Sequence, residues 1–304
     1  MSTPGRVGLL VNPTAGRGAG RRAGTHVLDT LRRRGHEVTD LSGLEFASAA
    51  RAAREQAADL EALVVVGGDG MIHAGVQAVA GTDTALGIVP AGTGNDIARG
   101  LDLPLGDPVR SAEAVAEALR AGRHRAVDAV HVSTGSGTDW YASILASGVD
   151  ALVNERANSW PWPKGPARYT LAALRELAVV RGVGVRVTLD GTSFERDCLL
   201  VAVANTRCYG GGMQMAPHAD PSDGLLEVVV VDALPPVAAL RLLPQVRRGR
   251  HLDHPAVHVH RARSVTLESL DGNPRRPRPH ADGEPIGDLP ITCEAVPGAL
   301  RVLV

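Results

Sequence analysis

From residue 7 to about residue 121, short runs of β-branched and aliphatic residues alternate with longer amphipathic stretches. Such alternation admits few folds. It is the pattern of a parallel sheet with helices on its faces, because parallel neighbours need a crossover long enough to hold a helix. Residues 7–11 read as a strand, 20–34 as a helix stopped by Gly35, 37–41 as a second strand and 47–58 as a second helix. Residues 63–66 read as a short buried strand that leads through a glycine loop into a helix over 71–80. Residues 86–89 read as a fourth strand, again followed by a glycine loop, and a helix over 111–121 comes next, with Ser111 as N-cap and Gly122 as stop.

Past Asp128 the pattern changes. One helix stands out, over 168–180, and the remainder reads as strands. Residues 183–189 and 194–204 flank Asp190-Gly191, a type I′ hairpin signal, and runs at 225–231, 257–267 and 291–296 follow. Hairpins mean antiparallel sheet. The expectation is therefore an α/β domain over 1–130 and a β-rich, sandwich-like domain over 131–304, in line with a length of 304 residues.

Composition removes several classes of function. The net charge of −1 gives no reason to expect nucleic acid as a partner. The three cysteines, Cys198, Cys208 and Cys293, form no C-x-x-C pair, so neither zinc fingers nor a disulfide framework is expected, and a reducing, cytoplasmic setting fits. No charged segment followed by an apolar core opens the chain, so no signal peptide is expected. The longest apolar helical segment, 169–185, is interrupted by Arg175, Glu176 and Arg181, so any meeting with lipid is peripheral. Lys164 is the only lysine, and it stands in Pro163-Lys164-Gly165-Pro166. A P-loop needs G-K-[ST] and a protein kinase needs a lysine on its third strand, so both architectures are excluded.

In an open parallel sheet, ligands sit at the carboxyl ends of the strands, and three special loops lie there. The first runs Val11-Asn12-Pro13-Thr14-Ala15-Gly16-Arg17-Gly18-Ala19-Gly20, where glycines let the backbone approach phosphate and Arg17 can add a charge-assisted bond. The second is Gly67-Gly68-Asp69-Gly70, whose carboxylate and exposed N–H groups suit phosphates with a metal, though a turn with a capping aspartate is the plainer alternative. The third is Gly92-Thr93-Gly94-Asn95-Asp96, in which Asn95 serves as a helix N-cap and Asp96 faces the phosphate side.

These three loops, taken together, resemble the signature of the diacylglycerol kinase catalytic superfamily. That group takes in bacterial diacylglycerol kinases, sphingosine and ceramide kinases and, more distantly, NAD kinases and phosphofructokinases. The resemblance continues downstream. Ala216-Pro217-His218-Ala219-Asp220-Pro221-Ser222-Asp223-Gly224-Leu225 is similar to the family's P-x-A-D-P-x-D-G-x-L segment, and Ala281-Asp282-Gly283-Glu284 to its D-G-E motif. The resemblance implies an α/β nucleotide-binding domain joined to a β-rich domain, with the active site in the cleft between them and the final strand returning to the first domain. It implies an ATP- and Mg²⁺-dependent kinase acting on the hydroxyl of diacylglycerol or a related lipid at a membrane surface. Asp282 would be the general base. Asp69, Asp96, Glu284 and Asp128 would hold a Mg²⁺–water network against the ATP phosphates, and Asp220, Asp223 and the carbonyl of Leu225 a structural Mg²⁺. Dimers are frequent among bacterial relatives, but no residue here fixes an oligomeric state.

One departure stands out. The family has threonine after Gly-Gly-Asp-Gly, and this chain has Met71. Methionine cannot donate to a phosphate, which removes a bond worth ~1–3 kcal/mol to a charged partner. A different acceptor, such as a sphingoid base, a glycolipid or a soluble alcohol, or a weakly catalytic nucleotide-binding regulator, therefore stays open. Several other features have plain explanations beside functional ones. Trp160 and Trp162, near Arg168, suit a membrane interface as well as packing under a helix. His258 and His260 share a strand face, where packing outweighs metal binding. Arg241, Arg247, Arg248 and Arg250 read as a solvated helix end, Arg275, Arg276 and Arg278 as a polar loop, and Asp271-Gly272 as a turn.

Overall fold

The computed structural model describes residues 5–43, 45–160, 162, 166–179, 182–270 and 278–304. The readings placed on Lys164, Asp271-Gly272, Arg275 and Arg276 fall outside them, as does the side chain of Arg17. The chain divides into two compact units, one formed by Met1–Ala129 with Val296–Val304 and the other by Val130–Ala295.

The first unit runs β1 (Arg6–Val11), α1 (Ala15–Arg33), β2 (Glu37–Asp40), α2 (Phe46–Gln56), β3 (Ala62–Gly67), α3 (Asp69–Val79), β4 (Ala85–Pro90), α4 (Asp96–Gly100), α5 (Pro108–Arg120) and the start of β5 (His124–Thr134). Its strands lie parallel in the order β2-β1-β3-β4. Arg301 and Val302 of the long final strand add to β4, also parallel. Every residue of β3 and β4 is buried, as a strand covered on both faces requires. Alternation sorts the two faces. Val64 and Val66 join Ala23 and Val27 of α1 and Val115 and Leu119 of α5 in one core cluster. Val65 turns to α3, where a Cβ on Gly75 would come within 2.6 Å of it.

Two expectations need correction here. The helix expected from residue 20 starts at Ala15, so most of the first glycine-rich loop is helical, with Gly16 and Gly18 at φ 54° and 93° loosening its first turn. And Ser111 does not cap α5. The helix begins at Pro108, and the Asp107 side chain accepts from the N–H groups of Val109 (3.0 Å) and Arg110 (3.3 Å). Asp107-Pro108 is a strong start, because the carboxylate takes two orphan donors and proline needs none. Ser111 is buried and donates back to the Asp107 carbonyl at 3.1 Å.

The second unit takes β5 onward through β6 (Gly137–Tyr141), β7 (Ile144–Gly148), α6 (Val149–Ser159), α7 (Pro166–Val179), β8 (Val183–Leu189), β9 (Thr192–Ala204), β10 (Leu226–Asp232), α8 (Pro236–Val246), β11 (Val257–Ala262), β12 (Ser264–Ser269), β13 (His280–Ala281), β14 (Glu284–Pro285) and β15 (Ile291–Leu303). β9 pairs antiparallel with β8 along its first half and with β7 and β10 along its second. The two faces of its second half serve different neighbours. Val201 and Val203 join Val228, Val187 and Leu267 in an all-strand core. Ala202 and Ala204 face Val149, Leu177 and Leu242 of the helices. Asp190 and Gly191, at φ 45° and 87°, make the I′ turn between β8 and β9.

Strands dominate this unit, but α6 is additional to the helix expected over 168–180, as is the body of α8, of which only the arginine-rich end is expected from the sequence. The run expected as one strand over 257–267 is two. β11 pairs with β10, whereas β12 pairs with β8 and β15. The Asp190 carboxylate accepts from the N–H groups of Arg263 (3.0 Å) and Ser264 (2.9 Å) and marks the break.

Candidate functional site

The order β2-β1-β3-β4 reverses direction between β1 and β3, and the loops that leave those strands meet there. Four close approaches bind the loops together. A Cβ on Gly16 would stand 2.4 Å from the carbonyl oxygen of Ala91, and one on Gly92 would stand 2.4 Å from the Cα of Gly68. The Ala91 N–H donates to Gly67 O at 2.8 Å, and the Asn12 N–H to Val66 O at 2.9 Å. Glycine is thus required at 16 and 92 by backbone contact, whatever else the loops bind. Asn12 fixes its own turn, because its Oδ1 accepts from the N–H (3.0 Å) and the hydroxyl (2.8 Å) of Thr14.

Asp69 and Asp96 converge on this surface. A Cβ on Gly94 would lie 2.9 Å from Asp69 Oδ2 and 3.3 Å from Asp96 Oδ2, so two carboxylate oxygens from different loops flank a space that a side chain at 94 would fill. Asp69 also reaches across to α4, where its Oδ1 accepts from the Ile97 N–H at 3.1 Å. That bond corrects the reading of Asn95. Asn95 stands at the N-cap of α4 with φ 52°, yet its side chain closes a ring with Gly92, accepting from the Gly92 N–H (2.9 Å) and donating to the Gly92 carbonyl (3.1 Å). The capping task falls to a carboxylate from the neighbouring loop. Met71 is buried, its side chain against Gly67 and its N–H donating to Gly68 O at 3.0 Å.

Asp128 bonds to the returning strand. It is buried on β5, and its Oδ1 accepts from the Gly298 N–H at 2.8 Å, which ties the end of the first domain to its returning strand.

In the second unit Asp282 and Gly283, at φ 53° and 89°, form the two-residue turn between β13 and β14. The hairpin alternative is therefore real, but the side chain does more than turn. Its two oxygens accept from the N–H groups of Ala142 (3.1 Å) and Ser143 (2.9 Å), and its own N–H donates to Ile144 O at 3.1 Å. Glu284 opens β14 on the same hairpin, opposite Ala281. Beneath lies a polar support that sequence reasoning misses. Asn205 is fully buried and donates to the Ala142 carbonyl at 2.8 Å, while Ser143 Oγ meets the Thr206 hydroxyl at 2.8 Å. The available signal is the polar Asn205-Thr206 pair directly after the apolar run of β9. Burial pushes the Tyr141 phenol well above its ordinary range, with the nearby Cys293 and Asp282 adding to it, and its hydroxyl donates to Val203 O at 3.0 Å. Burial likewise pushes Cys293 up to about 12, which keeps it an inert thiol.

The loop with Asp220, Asp223 and Leu225 is held mostly by its own atoms. Asp220 Oδ1 accepts from the N–H (3.0 Å) and hydroxyl (2.6 Å) of Ser222, and Asp223 Oδ1 from the Leu225 N–H at 2.9 Å. Asp223 also pairs with Arg261. No group of three or more metal-ligating side chains forms among the described residues. His258 meets Asp232 at 2.8 Å and His260 stacks on Phe194, so those two histidines are accounted for by packing and pairing.

Comparison with known proteins covers both units. Residues 6–132 match the diacylglycerol kinase catalytic domain, and residues 143–304 match the YegS C-terminal NAD kinase beta sandwich-like domain. The chain is 38% identical to a diacylglycerol kinase of Mycobacterium tuberculosis, over 98% of this chain and 95% of that one. It is 29% identical to a probable YegS-like lipid kinase of Xanthomonas oryzae, over 90% and 88%. Among solved structures, a diacylglycerol kinase of Bacillus anthracis superposes with a TM-score of 0.72 at 19% identity, covering 99% of this chain and 98% of that one. That structure shares the fold.

Proposed function

The chain belongs to the diacylglycerol kinase family of lipid kinases, and from that premise we propose that it moves the terminal phosphoryl group of ATP, with Mg²⁺, onto the hydroxyl of diacylglycerol or a closely related lipid. The observation that carries this reading is the pair of carboxylates, Asp69 and Asp96, flanking the Cβ-free space at Gly94. Phosphoryl transfer needs alignment and charge neutralisation more than covalent help.

In this reading the backbone of Gly67 and Gly68, at the N-terminus of α3, with that of Gly92 and Gly94 in the loop after β4, receives the phosphates, and Asn12, Pro13, Gly16, Arg17, Gly70, Thr93 and Asn95 shape the same surface. Oxygen-only donors suit Mg²⁺, which keeps much of its water and binds through one or two carboxylates plus substrate phosphates. Asp69 and Asp96 fit that role. The bound ion would supply charge compensation to the transferring phosphate. Glu284 and Asp128 complete the acidic set. Asp220, Asp223 and the Leu225 carbonyl are also oxygen-only and fit a structural Mg²⁺, with Arg261 already sharing the charge of Asp223. Asp282 takes the proton of the lipid hydroxyl. Its two backbone donors fix the direction in which the carboxylate points.

The test is turnover of labelled ATP with a panel of lipid and soluble alcohols. Diacylglycerol is expected to be the preferred acceptor, and Asp282→Asn is expected to slow turnover by about 10²–10⁴-fold while ATP affinity is kept. A parent protein that consumes ATP with no lipid acceptor, or an Asp282→Asn variant as fast as the parent, would overturn the reading.

A further inference from the structure

Among the described residues, the second unit carries an apolar helix face that stands exposed. On α7, Leu171 and Leu174 are 45% and 43% exposed, and Val179 is 69% exposed. Arg175 and Ala178 are exposed beside them. Spacings of three, four, seven and eight residues set all five on one side of the helix. An amphipathic helix of a globular protein normally turns its charged side outward, and α7 turns an apolar one. The opposite side is already in use, with Ala172 and Leu177 buried and α6 and α8 packed against the helix.

Charge is sorted as well. The single acid of α7, Glu176, is withdrawn from the outward face. It is 3% exposed and bonded to Arg156 of α6 at 2.6 Å. Among the described side chains, what remains outside is leucine, valine, alanine and arginine. Trp162, four residues before the helix, is 77% exposed. The neighbouring α8 and its exit loop, residues 235–250, contain four arginines, all exposed, and no carboxylate.

We propose that the outward face of α7, with Trp162, docks the protein on an anionic phospholipid bilayer. The proposal rests on the lipid-kinase reading only in its choice of occupant. A second copy of the chain could also cover an apolar face, but the exposed charge around it is mostly basic, with Arg175 and the four arginines of α8 and its exit loop against Glu155 of α6 and Asp253 past that loop, which favours a surface of negative charge over a self-complementary one. Leucine and valine enter the acyl boundary, tryptophan sits at headgroup level, and arginine meets lipid phosphate.

The test is cosedimentation of the full chain with vesicles of phosphatidylcholine alone and of phosphatidylcholine mixed with phosphatidylglycerol. Binding is expected to the mixed vesicles, at least about tenfold tighter than to the neutral ones. Leu171→Glu combined with Leu174→Glu is expected to weaken it about tenfold or more, with unchanged thermal unfolding, since both side chains are exposed. Should that double variant unfold, Arg175→Glu decides, with an expected severalfold loss and a flatter salt dependence. Equal binding by parent and variants, binding to neither vesicle, or a dimer in sedimentation velocity that Leu171→Glu with Leu174→Glu dissolves would overturn the proposal. Turnover of a short-chain diacylglycerol dispersed without a bilayer separates the two readings. Its absence beside intact, variant-sensitive vesicle binding sinks the proposed reaction and upholds the docking face, whereas its persistence without vesicle binding does the reverse.

Discussion

At the scale of single residues, the glycines of the three loops answer to backbone contact first. Gly92→Ala would press a methyl group to 2.4 Å from Gly68 Cα, where no flexible side chain can yield. It is expected to cost about 1–3 kcal/mol of stability, the usual range for overpacking, and to weaken ATP binding with it. Calorimetric unfolding and ATP titration of the variant measure both. Glycine-rich motifs could be recognised in the sequence because their residue types are restrictive. The reason for the restriction could not. The partner of Gly16 is Ala91, and the partner of Gly92 is Gly68, each far along the chain. Asn95 shows the same limit. A local rule makes it the cap of α4, but a carboxylate 28 positions away in sequence reaches the Ile97 N–H and releases Asn95 to brace Gly92.

At the scale of elements, the strands and helices of the first unit were legible because parallel strands are continuous apolar runs and their helices are strongly two-faced. Starts were less so. Ser111 looks like a cap, but Asp107 followed by Pro108 is the stronger signal, and the chain uses it. Asp107→Ala is accordingly expected to cost about 0.5–2 kcal/mol, where Ser111→Ala leaves the helix start intact. Thermal unfolding of the two variants side by side decides which residue caps. In the second unit the body of α8 was hidden by its internal Pro244, which a propensity argument reads as a breaker. The division of 257–267 into β11 and β12 was hidden for a different reason. The sequence there has no glycine or proline, and the kink depends on the Asp190 carboxylate more than seventy positions upstream.

At the scale of the whole molecule, the change of texture near Asp128 was plain to read, since period and turn chemistry both switch there. What composition could not supply is the path of the last strand. β15 begins against β12 in the second unit, and its far end lies beside β4 in the first. Leu300 and Val302 are fully buried there. Leu300→Ala is expected to destabilise by about 2–5 kcal/mol, with the loss felt in the first unit, as hydrogen exchange of β4 would report. The interleaved path also sets an order of events during synthesis. Domains generally fold as they emerge from the ribosome, amino-terminal first. Here the strand that flanks β4 is translated only after the entire second unit. The first unit must wait, one edge of its sheet bare, until its neighbour has been made, and any pause between the two leaves β4 open to a wrong partner.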